Sequence, residues 1–210
     1  MEYTCGPEND RRVLTISLPK NQKRIGVFVN GAIASSLLYL LLLIEKHSTN
    51  SDHLIKPFTV RKPHDSVDFY AGALVDRILD LFPNEPKTYP TVVGNPNVDG
   101  KNLVVSGIDY ALRLARMDVV YLGNRQKLPE FGIDSYQYDQ TKNDLTYPFL
   151  HINGSHIIDL YHQVYREHLL NFTHSCHAVS TMHCGNCDGC RERFWSFNQL
   201  GKKDTRFFLD

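Results

Sequence analysis

Short apolar runs alternate with longer stretches of helical spacing along this 210-residue chain. Val13-Leu14-Thr15-Ile16-Ser17-Leu18 alternates as a strand and is closed by Pro19. Arg24-Ile25-Gly26-Val27-Phe28-Val29 is nearly continuous in apolar residues, the pattern of a strand buried on both faces. The turn Asn30-Gly31-Ala32 follows, and an apolar helix is predicted from Ile33 to His47. Further on, Pro57–Val60 reads as a strand and Val67–Phe82 as a helix, with Phe69, Ala73, Leu74, Ile78 and Phe82 at helical spacing. Tyr89–Val93 (strand), Leu103–Met117 (helix) and Asp118–Gly123 (strand) continue the alternation. Residues 124–145 are polar and irregular, as suits a surface loop or lid. Tyr147–Ile152 is a fifth strand, demoted toward an edge by Pro148, and Asn153 caps a helix reaching about Leu169. Strands and helices in this order predict an α/β fold: a parallel five-stranded sheet with helices on both faces.

Composition narrows the classes. The chain is 42% hydrophobic and 22% charged, which excludes a wholly disordered polypeptide. Lysine plus arginine equal aspartate plus glutamate at 23 each, so the broad basic field of a nucleic-acid wrapper or membrane-surface binder is missing. The polar N-terminus lacks the pattern of a secretory signal, and the apolar run Leu37–Ile44 falls well short of the roughly 20 residues that span a bilayer. The expected compartment is the cytoplasm, with no membrane association.

Four of the five cysteines form C-x7-C-x2-C-x2-C: Cys176, Cys184, Cys187 and Cys190. Two-residue gaps turn neighbouring thiolates toward one point, and Gly185 and Gly189 ease the tight backbone. Four thiolates in a tetrahedron are a structural zinc shell, with Arg191 and Arg193 near enough in sequence to balance its charge. A four-iron cluster uses similar spacing, although Arg191-Glu192 stand where bacterial ferredoxin runs continue with cysteine and proline. His174, His177 and His183 are alternative ligands. Cys5 reads as a bystander thiol.

Thr173-His174-Ser175-Cys176 followed by His183-Cys184-Gly185-Asn186-Cys187-Asp188-Gly189-Cys190-Arg191-Glu192-Arg193-Phe194 resembles the C-terminal signature of the 7-cyano-7-deazaguanine synthase family. Asp118–Asn124 and the segment from Tyr147 to Ile158 resemble that family's fourth strand and its last strand and helix. The likeness implies a Rossmann-like PP-loop ATPase fold, with three regions. These are an N-terminal extension or edge strand at 1–23, a PP-loop-like α/β domain at 24–170 and a four-cysteine zinc subdomain at 171–210. It also implies zinc as cofactor and use of ATP and Mg to convert 7-carboxy-7-deazaguanine to a nitrile.

The family's pyrophosphate loop, S-G-G-x-D-S, aligns with Asn30-Gly31-Ala32-Ile33-Ala34-Ser35, followed by Ser36. One glycine and the last serine are kept. The aspartate expected to organise metal and phosphate is Ala34, and the second glycine is Ala32. Asn153-Gly154 replace the family's Thr-Lys, and its arginine-bearing stretch before the fourth strand is not recognisable. Asn124, Arg125 and His151 stand at predicted strand ends, where an open parallel sheet binds ligands. Tyr136, Tyr138 and Phe131 are positioned to cover a planar base or dock the loop, and Gly94–Asn97 follow the third strand.

The expectation is a synthase-like protein of a 7-deazaguanine pathway (queuosine precursor or nucleic-acid modification), with ATP-dependent activity in question at Ala34. A catalytically inactive zinc-stabilised binding or scaffold subunit is the alternative. A nucleic-acid-binding zinc module using Arg191, Arg193, Trp195, Lys202 and Lys203 is a third reading, disfavoured by the charge balance. Expected partners are a purine-like small molecule and a protein partner or second copy of the chain.

Overall fold

The strand Arg24–Phe28 and the residue after it send alternate side chains into two separate cores: Ile25, Val27 and Val29 into one, Phe28 into the other. That alternation organises the whole computed structural model, which describes residues 1–60, 67–93, 100–131, 143–176 and 183–206. In chain order the elements are β1 (Glu2–Cys5), β2 (Arg12–Thr15), β3 (Arg24–Phe28), α1 (Ile33–Ser48), β4 (Leu54–Val60), α2 (Val67–Leu79) and β5 (Thr91–Val93). They continue with α3 (Gly100–Asp109), β6 (Val119–Leu122), β7 (Leu145–Thr146), α4 (Gly154–Gln163) and α5 (Asp188–Gln199). The fold is α/β, with a parallel five-stranded sheet in the order β5-β4-β3-β6-β7.

Helices cover both faces. Helices α1, α2 and α4 pack on the first core, and α3 packs on the second, where Leu103, Ile108 and Ala111 meet Phe58, Val120 and Leu122. Leu37 to Leu43 of α1 are apolar all round and no more than 1% exposed, as a helix enclosed by neighbours requires. Asp118 anchors the start of β6 by accepting the Arg24 backbone N–H at 2.9 Å. No helix among the described residues is long and apolar enough to cross a membrane.

Several boundaries differ from the sequence pattern for identifiable reasons. The N-terminal strand Arg12–Thr15 pairs antiparallel with the polar β1 in a separate hairpin, so it adds no edge to the main sheet. The fifth strand is Leu145–Thr146, not Tyr147–Ile152. Pro148 has no N–H to give a ladder, and residues 148–151 turn instead, with Phe149 and Ile152 still buried. On α2 the buried stripe is Tyr70, Ala71, Leu74, Val75, Ile78 and Leu79. Phe69 lies off it at 69% exposure, because the wider stripe wins the core. Helix α3 runs into a π-turn at Tyr110–Leu114, and Arg116 in the left-handed region ends it. The helix capped by Asn153 stops at Gln163, where Tyr165 takes φ +55°, and a 3-10 segment covers Glu167–Phe172. Phe131 closes a short 3-10 turn and packs beside Trp195, ring centres 5.8 Å apart, so it docks the loop. Gly94–Asn97, Tyr136, Tyr138 and His177 lie outside the described residues.

The turn between β3 and α1 depends on Gly31. It adopts φ +76°, and a Cβ there would lie 2.5 Å from Tyr70 Cβ. Gly31→Ala is therefore expected to lower stability by about 1–3 kcal/mol, read as a lower urea midpoint with an unchanged m-value.

Candidate functional site

The sheet order reverses between β3 and β6, and open parallel sheets bind ligands outside the carboxyl ends of strands at such a switch point. A cavity of about 370 Å³ lies there. Its apolar wall is Phe28, Val60, Val104 and Leu122, and its polar groups include Asn30, Ser35, Asn124, Arg125, Lys127 and Glu192. The strand ends and the first turn of α1 thus bring Asn30, Ala32, Ala34 and Ser35 together with Asn124 and Arg125. Ile33 and Ser36 are buried in the first turn of α1 and do not line it.

His151 is elsewhere. It sits in the turn before α4, where Nε2 contacts the Val13 carbonyl at 2.9 Å and its own carbonyl accepts from Arg12 at 2.5 Å. The expectation that it stands at a strand end beside the ligand is corrected: without a strand at 147–152, it serves the N-terminal hairpin.

The turn uses its own polar groups. Asn30 Oδ1 accepts from the Ala32 N–H at 3.1 Å and from the Ser35 hydroxyl at 2.5 Å. Ser35 Oγ in turn accepts the Asn30 N–H at 3.1 Å. Gly123, just past β6, presses its backbone on the first turn of α1, so closely that a Cβ would come 2.7 Å from Ser35 Cα. Ala34 is among the cavity's lining residues and is almost fully buried, and its methyl side chain can supply neither a hydrogen bond nor a metal ligand. At the start of α4, Asn153 Oδ1 caps the helix, accepting from the Ser155 N–H at 3.0 Å. A Cβ on Gly154 would collide with Ser196 Oγ of α5, so close helix packing occupies the place of the basic side chain the resemblance implies.

The C-terminal segment supplies the cavity's outer wall and a second site. The sulfurs of Cys176, Cys184, Cys187 and Cys190 all lie within 4.8 Å of one another, with Cys184–Cys190 and Cys187–Cys176 each at 4.0 Å. A tetrahedral ion with about 2.3 Å metal–sulfur bonds needs sulfurs about 3.8 Å apart, so the four thiols can hold a metal ion with little movement. Gly185 at φ +74° makes the tight turn between the ligands. The Cys184 N–H donates to Cys176 Sγ and the Cys187 N–H to Cys184 Sγ, each at 3.4 Å. Backbone donors from Cys187 and Asn186 pull the Cys184 thiol down to about 6, whereas burial pushes Cys190 up. Cys187 is also the N-cap residue of α5.

No histidine belongs to this group among the described residues. His174 stacks flat on Tyr70, ring centres 4.1 Å apart, while its N–H donates to the Gly31 carbonyl at 2.9 Å. His183 packs edge-on against His174, and burial holds its imidazole down at about 4. Cys5 is buried and raised to about 12 by desolvation and Asp159, so it is an unreactive thiol at neutral pH.

Helix α5 joins the two sites. Ser175 and Gly189, each beside a cysteine of the group, line the cavity together with Glu192. Glu192 Oε2 accepts from Arg125 Nη2 at 2.8 Å, and its side chain is 5% exposed. Arg193, expected to balance the thiolates, is instead buried in an ion pair. It donates to both Asp204 oxygens, at 2.5 and 3.0 Å, to Thr173 Oγ1 at 2.5 Å and to the Leu170 carbonyl at 3.0 Å. Arg191 pairs with Asp188 on the surface at 2.7 Å. A buried Arg193 is also lost to any nucleic-acid surface.

No protein-family model matches the chain, and no curated protein matches it. The structure brings Asn124, Arg125 and the β3–α1 turn to one cavity and the four thiols to one point; Glu192, Ser175, Gly189 and Lys127 also line the cavity and were not among the expected site residues. Glu192 follows Cys190 in a charged run that reads as solvent-facing, and its buried place beside Arg125, 67 residues away, and the start of α4 has no local signal in the sequence.

Arg193→Met would strand the Asp204 carboxylate in a buried pocket and is expected to cost about 3–5 kcal/mol, measured by urea unfolding. A loss under about 1 kcal/mol would mean the pair adds little.

Proposed function

We propose that this protein is a zinc-stabilised binding protein on a 7-cyano-7-deazaguanine synthase-like scaffold, which takes a purine-like base and does not run the ATP-dependent nitrile-forming reaction. The observation that carries this reading is the state of the β3–α1 turn. Ala34 stands at the position the resemblance gives to the metal-organising aspartate, and the Ala32 N–H and Ser35 hydroxyl are engaged by Asn30. Phosphoryl and adenylyl transfer rest on phosphate positioning and on cations that neutralise developing charge. A turn that donates inward and carries alanine at that position supplies little of either.

The rest of the cavity favours a planar, mostly neutral ligand. Phe28, Leu122, Val60 and Val104 form an apolar wall beside the polar side chains of Asn30 and Asn124, in a volume suited to a small ligand. The cysteine group supports one zinc ion. Its sulfurs are too close together to admit several irons and their bridging sulfides, and four thiolates with no exchangeable position make a structural centre. Cys176, Cys184, Cys187 and Cys190 would hold the zinc ion and so tie the stretch before α5 to the first turn of that helix. The residues themselves fix α5, and with it the outer wall of the cavity. A base-binding protein in a 7-deazaguanine pathway would act in the cytoplasm, alone or with a protein partner.

Two measurements test this. Purified protein mixed with ATP, Mg, ammonium and 7-carboxy-7-deazaguanine is expected to yield neither AMP nor nitrile above a protein-free control. ATP-dependent nitrile formation would overturn the reading. Metal analysis is expected to give about one zinc per chain, with no sulfide. Stoichiometric iron and sulfide, or a metal-free protein of unchanged melting temperature, would contradict the structural zinc.

A further inference from the structure

Among the described residues, the charged ones lining the cavity are Arg125, Lys127 and Glu192. Two cations at the end of a strand and beside a helix N-terminus would attract a polyanion. One carboxylate stands against that outcome. Glu192 contacts Arg125 at 2.8 Å and is nearly sealed from solvent, so its charge is little screened and acts on the cavity interior. The Arg125 Nε–H is buried and has no hydrogen-bond partner among the described residues.

We propose that Glu192 sets the charge preference of the cavity: of the two lining cations it neutralises Arg125, and so turns the cavity away from polyphosphate and toward a neutral ligand whose edge carries both N–H and C=O groups. This rests on the base-binding reading above and adds the residue that enforces it. The chemistry is that of a lactam edge. A carboxylate accepts N–H donors and repels phosphate oxygens, and the guanidinium beside it donates to a carbonyl without presenting a bare positive charge. An anion entering the cavity would have to displace Glu192 from Arg125 or lie beside a buried carboxylate, and like charges set together at an interface are strongly disfavoured.

Glu192 belongs to α5, two residues beyond Cys190. Its reach into the cavity is set by how the cysteine group and the Arg193–Asp204 pair hold that helix. The preference is thus enforced from the C-terminal segment and not from the turn that would have bound phosphate.

The test is calorimetric titration of zinc-loaded protein with guanosine as the neutral probe and tripolyphosphate as the anionic one. Wild type is expected to bind guanosine and to show no measurable tripolyphosphate binding. Glu192→Gln keeps the size and removes the charge. It is expected to tighten tripolyphosphate at least about tenfold and to weaken guanosine by a similar factor. The double variant Arg125→Met/Glu192→Gln is expected to lose the gain. Should the glutamine variant fail to retain zinc, Glu192→Met, also uncharged and of similar bulk, carries the same expectation. Wild type that binds guanosine, with neither Glu192 variant gaining tripolyphosphate, overturns the role of Glu192 and spares the base-binding reading. Variants that gain tripolyphosphate while wild type ignores guanosine uphold the charge gate and sink the base-binding reading. Tight tripolyphosphate binding by wild type overturns the proposal.

Discussion

The arrangement of α5 rests on one buried ion pair. Arg193 lies beneath the helix with its guanidinium spread over both oxygens of Asp204, and its remaining donors go to Thr173 and the Leu170 carbonyl. A charge this deeply buried is tolerated only when its donors are matched, so the pair fixes the helix's place and rotation more than it adds stability. From that fixed rotation the rest follows. Cys190 faces the other thiols, Glu192 faces Arg125, and Ser196 fills the space beside Gly154.

The cysteine group and the cavity therefore share one support. Cys187 caps α5 and Cys190 sits in its first turn, while Glu192 in the next turn reaches the end of β6. On the other side, His174 joins the stretch before Cys176 to the β3–α1 turn through its backbone N–H to the Gly31 carbonyl, and to α2 through its ring on Tyr70. The turn where the resemblance puts phosphate chemistry is thus braced by the segment that carries the thiols. With Ala34 in that turn, the polar selectivity of the cavity passes to Arg125 and Glu192, which lie outside it.

Much of this was legible in the sequence, and the parts that were not share a cause. The strands Arg24–Phe28 and Val119–Leu122 are buried on both faces, so their apolar runs have no competing interpretation. The thiol spacing is short-range and brings its residues together wherever the segment lies. Asn124 and Arg125 followed from being next to a strand end in a parallel sheet. His151 failed by the same logic, because Pro148 removed the strand it depended on. On α2 an exposed Phe69 looked like a core residue, since local spacing does not say which of two overlapping stripes meets the sheet. Glu192 and Arg193 have partners 67 and 11 residues away, and a charged residue's burial is decided by such a partner and not by its own neighbours in sequence.

The most direct test of this shared support is amide hydrogen exchange with and without the metal. If the cysteine group and the Arg193–Asp204 pair hold α5 against the cavity, removing the metal will speed exchange in α5 and, together with it, in residues 123–127 at the end of β6. The central strand β3 will stay protected. Faster exchange confined to residues 183–190, with 123–127 unchanged, would contradict the account and leave the cysteine group a local clasp with no hold on the cavity.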